Sequence, residues 1–418
     1  MATYREPERE VPVAREVDVL VVGGGPAGLT AAIAAARNGA ETALVERFGY
    51  LGGTATASLM ACINGFRNQV EPDQTQTVRG IAEEFILALK DMDGLGSSPY
   101  PQKSYPTEPR QLEYSYAIDT EKFKYVVLRA CADAGVDVMF HTWFCESIVE
   151  DGVLRGVLVE SKSGRQALMA RVVVDATGDG DVSARAGVPF WQTRREEAPR
   201  LNDSLMYRIA FGEDRPEGTY RCDFGSNAVV WGPGVGPMDG TNADELSGAE
   251  LEARLGVFED FAAKQGETPE LADARVAETP PMLGVRQTRF IEGEYRLTAE
   301  DALGGRRFGD VVAISSCPII HYYGYRRYLE HQGYDIPYRC LVPRVVDGLL
   351  VAGRCISSDQ EPYESHRAMA PIMAVGQAAG TAAALCCAGG SVPRRLDADA
   401  LQEALRDQNQ VLDIPPGN

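Results

Sequence analysis

The sequence predicts an α/β protein with a central parallel sheet and a β-meander, and a second, α+β unit inserted into it. Three observations point there. A strand, a glycine turn, a helix and a second strand follow one another near the N-terminus, over residues 17–46. Two later apolar strands, within residues 171–187 and 346–359, each run into a glycine turn. A helix of small residues, MAPIMAVGQAAGTAAALCC, spans 369–387.

The first unit fixes the chemistry of the expectation. Val17 to Val22 reads VDVLVV, the β-branched, apolar composition of a strand buried on both faces. Gly23, Gly25 and Gly28 follow in the spacing G-x-G-x-x-G, with Pro26 and Ala27 between the last two. LTAAIAAARNG then reads as a helix that stops at Asn38 and Gly39. ETALVE is the second strand, ending at Glu46. This is the context of a dinucleotide-binding turn. Gly23 allows the tight turn, Gly25 lets a pyrophosphate approach the backbone, and Gly28 lets helix and strand pack closely. Exposed N–H groups and the helix dipole favour the two phosphates. Glu46 would accept hydrogen bonds from the adenosine ribose, and its charge would repel the 2′-phosphate of NADP.

Further along, DTEKFKYVVLRACADAG (119–135) is an amphipathic helix for which Thr120 is the expected N-cap. A strand at 136–141 and a hairpin turning at Asp151-Gly152 follow. Residues 67–110 read as an exposed connection, with a lid as the alternative. The nucleotide unit is expected to be discontinuous, built from residues 1–66, 111–190 and 338–392. Residues 191–337 would form the substrate unit, with a strand SLMYRIAF, a helix at 248–265 and a capping box Thr298-x-x-Asp301. Residues 393–418 would be a C-terminal helix and tail.

Composition narrows the function. Of the 418 residues 44% are apolar and 24% charged, an ordinary globular profile. A net charge of −19 disfavours nucleic acid and anionic membranes as partners. The charged N-terminal stretch lacks a signal-peptide core and no apolar run reaches membrane-spanning length, so the expected location is cytoplasmic. The nine cysteines are scattered and show no C-x-x-C, and His141, His321, His331 and His366 lack ligand spacing. No disulfide framework, metal site or iron–sulfur cluster is therefore expected.

Three later segments favour FAD over NAD: RFGYLGGTATASLMAC (47–62), with a glycine pair suited to close backbone approach, the strand into Ala176-Thr177-Gly178, and the strand–turn and small-residue helix beyond 346. Here the chain resembles FAD-dependent oxidoreductases of the glutathione-reductase-like, Rossmann-type fold. In particular it resembles the FAD-dependent oxidoreductase family distantly related to fumarate reductase and succinate dehydrogenase flavoproteins. The resemblance rests on GGGPAG (23–28), ERFGYLGGTAT (46–56), DATGDGD (175–181), GVRQTR (284–289), IPYRCLVP (336–343), LLVAGRCIS (349–357) and MAVGQAAGTAAAL (373–385). It implies that Gly23, Gly25, Pro26 and Gly28 hold the pyrophosphate and Glu46 the ribose. Arg47, Gly52, Gly53, Thr54, Ala55 and Thr56 would line the phosphates and inner flavin, with Trp143 and Phe144 beside the adenine. Ala176, Thr177, Gly178 and Asp179 would close over the nucleotide. Gly353 and Arg354 would approach the pyrophosphate and ribityl chain. Pro371, Ile372 and Met373 would open a helix whose dipole faces the flavin N1 and C2 carbonyl.

Candidate catalytic groups cluster in IIHYYGYRRYLEHQGYDIPYR (319–339). His321 has a free pKa near 6.5, suited to removing a hydroxyl or amine proton. Tyr322, Tyr323 and Tyr325 offer hydrogen bonds and stacking. Arg286, Arg326, Arg327, Arg339 and Arg367 are candidates for bidentate carboxylate binding. His366 is a second candidate base. Some of these tyrosines and arginines are expected to be structural; Arg286, in a shared motif, is the foremost functional arginine.

With one dinucleotide fingerprint and no second G-D…P…G-x-G-x-N pattern, a nicotinamide-driven monooxygenase is disfavoured; without C-x-x-x-x-C after the first helix, so is a disulfide reductase. The expected enzyme is an FAD-dependent dehydrogenase or oxidase. It would pass hydride from a small polar organic substrate to flavin N5, with oxygen or an unidentified acceptor reoxidising the flavin. Homo-oligomerisation is compatible with this. The alternatives are a double-bond reductase of the fumarate-reductase type, the monooxygenase, and a non-catalytic FAD-stabilised scaffold.

Overall fold

Strand β1 (Val13–Val22) starts accessible and becomes buried from Val17 onward, with only Asp18 partly exposed. Described residues of this computed structural model are 3–68, 75–96, 114–192, 202–212, 224, 226–236, 238–320 and 326–414. The turn after β1 leads into α1 (Pro26–Arg37), where Pro26 needs no N–H partner and Asn38 closes the last turn. Then come β2 (Thr42–Val45), the short α2 (Thr54–Ala57), β3 (Cys62–Asn64), α3 (Ile81–Asp91), β4 (Leu95–Gly96) and β5 (Ser115–Ile118).

Helix α4 (Thr120–Ala134) corrects one expectation. Its N-cap is Asp119, whose carboxylate accepts the N–H groups of Glu121 and Lys122, so Thr120 is the first helical residue. A carboxylate reaches two donors here where a threonine hydroxyl would reach one. Next follow β6 (Asp137–Met139) and the meander β7 (Trp143–Glu150), β8 (Val153–Ser161) and β9 (Gly164–Asp175). Asp151 and Gly152 both take positive φ, 50° and 76°, which a two-residue hairpin turn requires.

The central sheet orders these strands β6-β2-β1-β9-β8-β7. Beyond its pairing with β8, the last three residues of β9 (Val173–Asp175) pair on that side with the late strand β19 (Leu349–Val351), in parallel. Register brings four carboxyl ends into line: Val22 sits opposite Val45 and Asp175, and Asp175 opposite Val351. The residues that follow them, Gly23, Glu46, Ala176 and Ala352, therefore emerge side by side. Crevices of α/β sheets form beyond such aligned ends.

Between β9 and β19 lie α5 (Asp181–Arg185), β10 (Phe190–Gln192), β11 (Asp203–Ala210), β12 (Asn227–Val235), α6 (Ala243–Glu267), β13 (Arg275–Glu278), β14 (Arg289–Ile291), α7 (Ala299–Leu303), β15 (Val311–Ser315), β16 (Ile319–Ile320), β17 (Arg326–Arg327) and β18 (Tyr334–Pro337). Helix α6 is longer than the expected 248–265 because Asn242 caps it, so that it starts at Ala243, five residues earlier. The Thr298–Asp301 capping box forms at α7 as expected. The sheet β12-β11-β13 packs its Leu205, Tyr207 and Ile209 on Ala249, Ala253, Val257 and Phe261 of α6, a second core. The larger core takes in Val311 to Ile314, Tyr334 and Ile336, residues expected with the inserted unit. Among the described residues, the buried members of the smaller core fall within 205–283, with Val285 packed against it.

After β19 come α8 (Gln360–His366), α9 (Met369–Gly389) and α10 (Ala398–Asp407). By length and composition α9 could cross a membrane, but it is the core helix, with 83% of that stretch buried. Its glycines let it touch α1: a Cβ on Gly376 would sit 2.1 Å from the Ala27 carbonyl oxygen. Thr30 closes the contact by donating to the Met373 carbonyl at 2.7 Å.

Candidate active site

The carboxyl ends of the sheet open into one cavity of about 520 Å³. Gly23, Gly25, Pro26 and Ala27 form one wall, and α1 starts there with no capping side chain on its free N–H groups. Gly23 takes φ 106°, and a Cβ on it would lie 2.5 Å from the Ala176 carbonyl oxygen. Gly28 does not line the cavity: its Cβ would fall 1.8 Å from the Gly23 carbonyl oxygen, so it permits the turn from behind.

Glu46 is buried and accepts two backbone N–H groups, Gly24 at 2.8 Å and Phe48 at 2.9 Å. Burial raises its pKa above the ordinary carboxylate range, against those bonds and Arg47. It thus braces the glycine turn as well as bordering the cavity. Arg47 lies over the rings of Phe48 and Trp143, 5.1 Å and 5.5 Å from their centroids, and all three join Phe144 at that end of the cavity.

The segment 52–56 divides. Gly53 and Thr54 line the cavity; Gly52, Ala55 and Thr56 lie behind it. The glycine pair is needed mainly for backbone on backbone. Gly52 donates to the Gly24 carbonyl at 2.9 Å, and a Cβ on Gly53 would meet the Gly25 Cα at 2.6 Å.

Ala176, Thr177, Gly178 and Asp179 form the opposite wall with Gly353 and Arg354. Asp175 anchors that turn, accepting from Ser183 and Thr177 by both backbone and side chain. Arg354 pairs with Asp179, while its buried Nε has no hydrogen-bond partner among the described residues. Burial works against its charge, but Asp179, Tyr363 and Cys355 together outweigh this and raise the pKa. Helix α9 reaches the cavity through Ala368, Met369 and Ile372, again without a capping side chain. Pro371 instead packs near Gly65, and Met373 is in the core.

Away from the glycine turn the lining includes Arg286, Arg326 and Arg367 with Asn64, Tyr114, Ser204 and Glu364, and the apolar Met206, Trp231 and Val285. Met282 lies against Arg47, its Sδ 3.1 Å from the guanidinium. Arg339 is elsewhere, paired with Asp310 at 2.9 Å, and Arg327 does not line the cavity. His321, Tyr322, Tyr323 and Tyr325 lie outside the described residues, as does SSPYPQKSYPTEP. His366 is not in the wall: it is fully buried, its Nε2 bonded to Ser358 Oγ at 3.0 Å. Burial, aided by Arg367, lowers its pKa to about 3, so it stays neutral and its reading as the base has no geometric support.

Sequence reasoning missed Asn64, Ser204, Met206 and Trp231. They come from β3, β11 and β12, whose alternation marked strands without showing which face would meet the cavity.

The sequence profile of the FAD dependent oxidoreductase family matches residues 18–216 and 192–405. The chain belongs to that family. It is an FAD-dependent oxidoreductase, and FAD is its cofactor. The digeranylgeranylglycerophospholipid reductase of Methanocaldococcus jannaschii is 31% identical over 49% of this chain and 51% of its own. That of Thermoplasma volcanium is 28% identical over 51% and 52%. The chain spans about half the length of these curated relatives. A geranylgeranyl bacteriochlorophyll reductase-like protein from Thermoplasma acidophilum shares the fold, with TM-score 0.50 and 14% identity over 94% of this chain and 84% of that one.

The cavity of this FAD-dependent oxidoreductase suits the cofactor. Two uncapped helix starts, a buried arginine Nε without a partner among the described residues, and a Gly25 whose Cβ position is open beside the cavity are features a dinucleotide would complete.

Proposed function

We propose that the enzyme oxidises a small polar organic substrate, which lies at the arginine end of the cavity while FAD occupies the rest. The observation that carries this is the continuity of one cavity from the glycine turn to Arg286 and Arg367. Bound FAD supplies an acceptor for a hydride at N5. The protein's share is binding and placement. Gly23, Gly25, Pro26 and Ala27 would hold the phosphates, with Arg354 across the cavity; Glu46, Arg47, Trp143 and Phe144 would hold the adenosine end. The start of α9 would stabilise negative charge developing on the ring. Met206 and Trp231 would exclude water from the reacting bond. His321 and Tyr323 remain the proposed proton acceptor and its neighbour.

The test is anaerobic bleaching of the flavin against a metabolite panel, with NADPH as the control. Reduction by a small metabolite supports oxidation; rapid stoichiometric reduction by NADPH alone contradicts it. A second reading has a specific support: the relatives named above are reductases, and the far wall is partly apolar. Double-bond reduction would show as turnover with an artificial electron donor and no bleaching by saturated metabolites.

A further inference from the structure

Arg286 is held through both its backbone and its guanidinium. Its N–H donates to Asp203 Oδ1 at 2.6 Å, and its carbonyl accepts the Tyr363 hydroxyl. Its Nε donates to the Asn202 carbonyl at 2.7 Å and its Nη2 reaches Ser204 Oγ at 3.4 Å. Its partners are thus neutral where the guanidinium itself is concerned, and Nη1 makes no hydrogen bond to a described residue.

The neighbouring acids are committed elsewhere. Glu364 binds Arg367 at 2.9 Å and accepts from Gln360 at 2.9 Å, while Gln360 and Gln287 exchange amide bonds. Asp203 spends its near oxygen on the backbone of Arg286. Arg354, by contrast, faces the same cavity with Asp179 as its own carboxylate. Burial lowers the pKa of Arg286, and Arg367 lowers it further, outweighing Asp203 and Glu364. A part-buried guanidinium whose own hydrogen bonds go to neutral groups gains charge-assisted bonds from an incoming oxyanion.

We propose that Arg286 is the docking point for an anionic group of the substrate, a carboxylate or a similar oxyanion. The apolar residues beside it give the ligand an uncharged body. Val285 precedes Arg286 in the chain and Met206 pairs with Trp231 across β11 and β12, all three lining the cavity. Arg286 is a binding and specificity residue. The inference rests on the reading of this cavity as the active site.

The experiment titrates the FAD-loaded protein with benzoate, acetate and inorganic phosphate, and with benzamide as the neutral isostere of benzoate. Two signals are read, the visible flavin spectrum and the thermal midpoint. Saturable binding of benzoate, weaker acetate and no response to benzamide are expected. Tighter phosphate than benzoate would assign the site to a phosphorylated ligand, with Arg286 still the anchor. Arg286→Met is expected to weaken anion binding tenfold or more at unchanged flavin content, and Arg286→Lys to recover part of it. Should Arg286→Met fail to fold, Arg286→Lys and Arg286→Gln supply the comparison. Failure of all three anions to saturate, equal binding of benzamide, or wild-type affinity in the methionine variant overturns the inference. Anion binding that persists while no metabolite bleaches the flavin would sink the oxidation reading alone.

Discussion

Gly380 of α9 lies so close to Ala31 of α1 that a Cβ on the glycine would stand 1.9 Å from the alanine carbonyl oxygen. The contact sets the distance between the two helices whose N-termini frame the cavity. Gly380→Ala must push them apart. It is expected to destabilise by about 3 kcal/mol, in the range of strained core substitutions, and to release FAD. Denaturant unfolding and flavin content after gel filtration check both effects.

Gly248→Ala should do the opposite. This glycine is inside α6, and an added Cβ meets nothing within 4 Å. Replacing it should stabilise by about 0.5–1 kcal/mol through helix propensity, with flavin content unchanged. A rise in the thermal midpoint of about 1 °C is the readout.

How much of this was legible beforehand differs between the two ends of the cavity. The glycine turn, Glu46, Ala176–Asp179 and Gly353-Arg354 were readable because backbone geometry forces particular residue types at particular spacings. The division of 52–56 was not. Glycines demanded by a neighbouring backbone and glycines demanded by a ligand leave the same letters. At the other end, His366 resembled a base because it precedes α9. Whether a histidine at a helix end faces a cavity or the core depends on packing that no local pattern encodes.

The same histidine gives a pH prediction. Its folded pKa, about 3, is below the free value near 6.5, so the fold prefers the neutral ring. Its contribution to stability is present above pH 6.5 and is lost as pH falls from there toward 3. The slope approaches about 1.4 kcal/mol per pH unit. His366→Gln should flatten this part of the profile, as measured by urea unfolding at pH 7, 6 and 5. An unchanged slope would mean that another group carries it.

Arg354→Met leaves Asp179 without its cation and the opposite wall without its charge. Thr288, which donates to Asp179 at 2.8 Å, should keep the turn folded. FAD binding is expected to weaken about tenfold or more, and Arg354→Lys to lie between. Titration of the apoprotein with FAD, followed by the fluorescence lost on binding, measures it.

The most direct test compares nucleotide content. Nucleotide released by acid from the purified wild-type protein should be FAD at close to one per chain. Gly28→Ala, whose Cβ would lie 1.8 Å from the Gly23 carbonyl oxygen, should carry almost none even after incubation with the cofactor. Full FAD occupancy in the Gly28→Ala protein would contradict the placement of the cofactor at this turn.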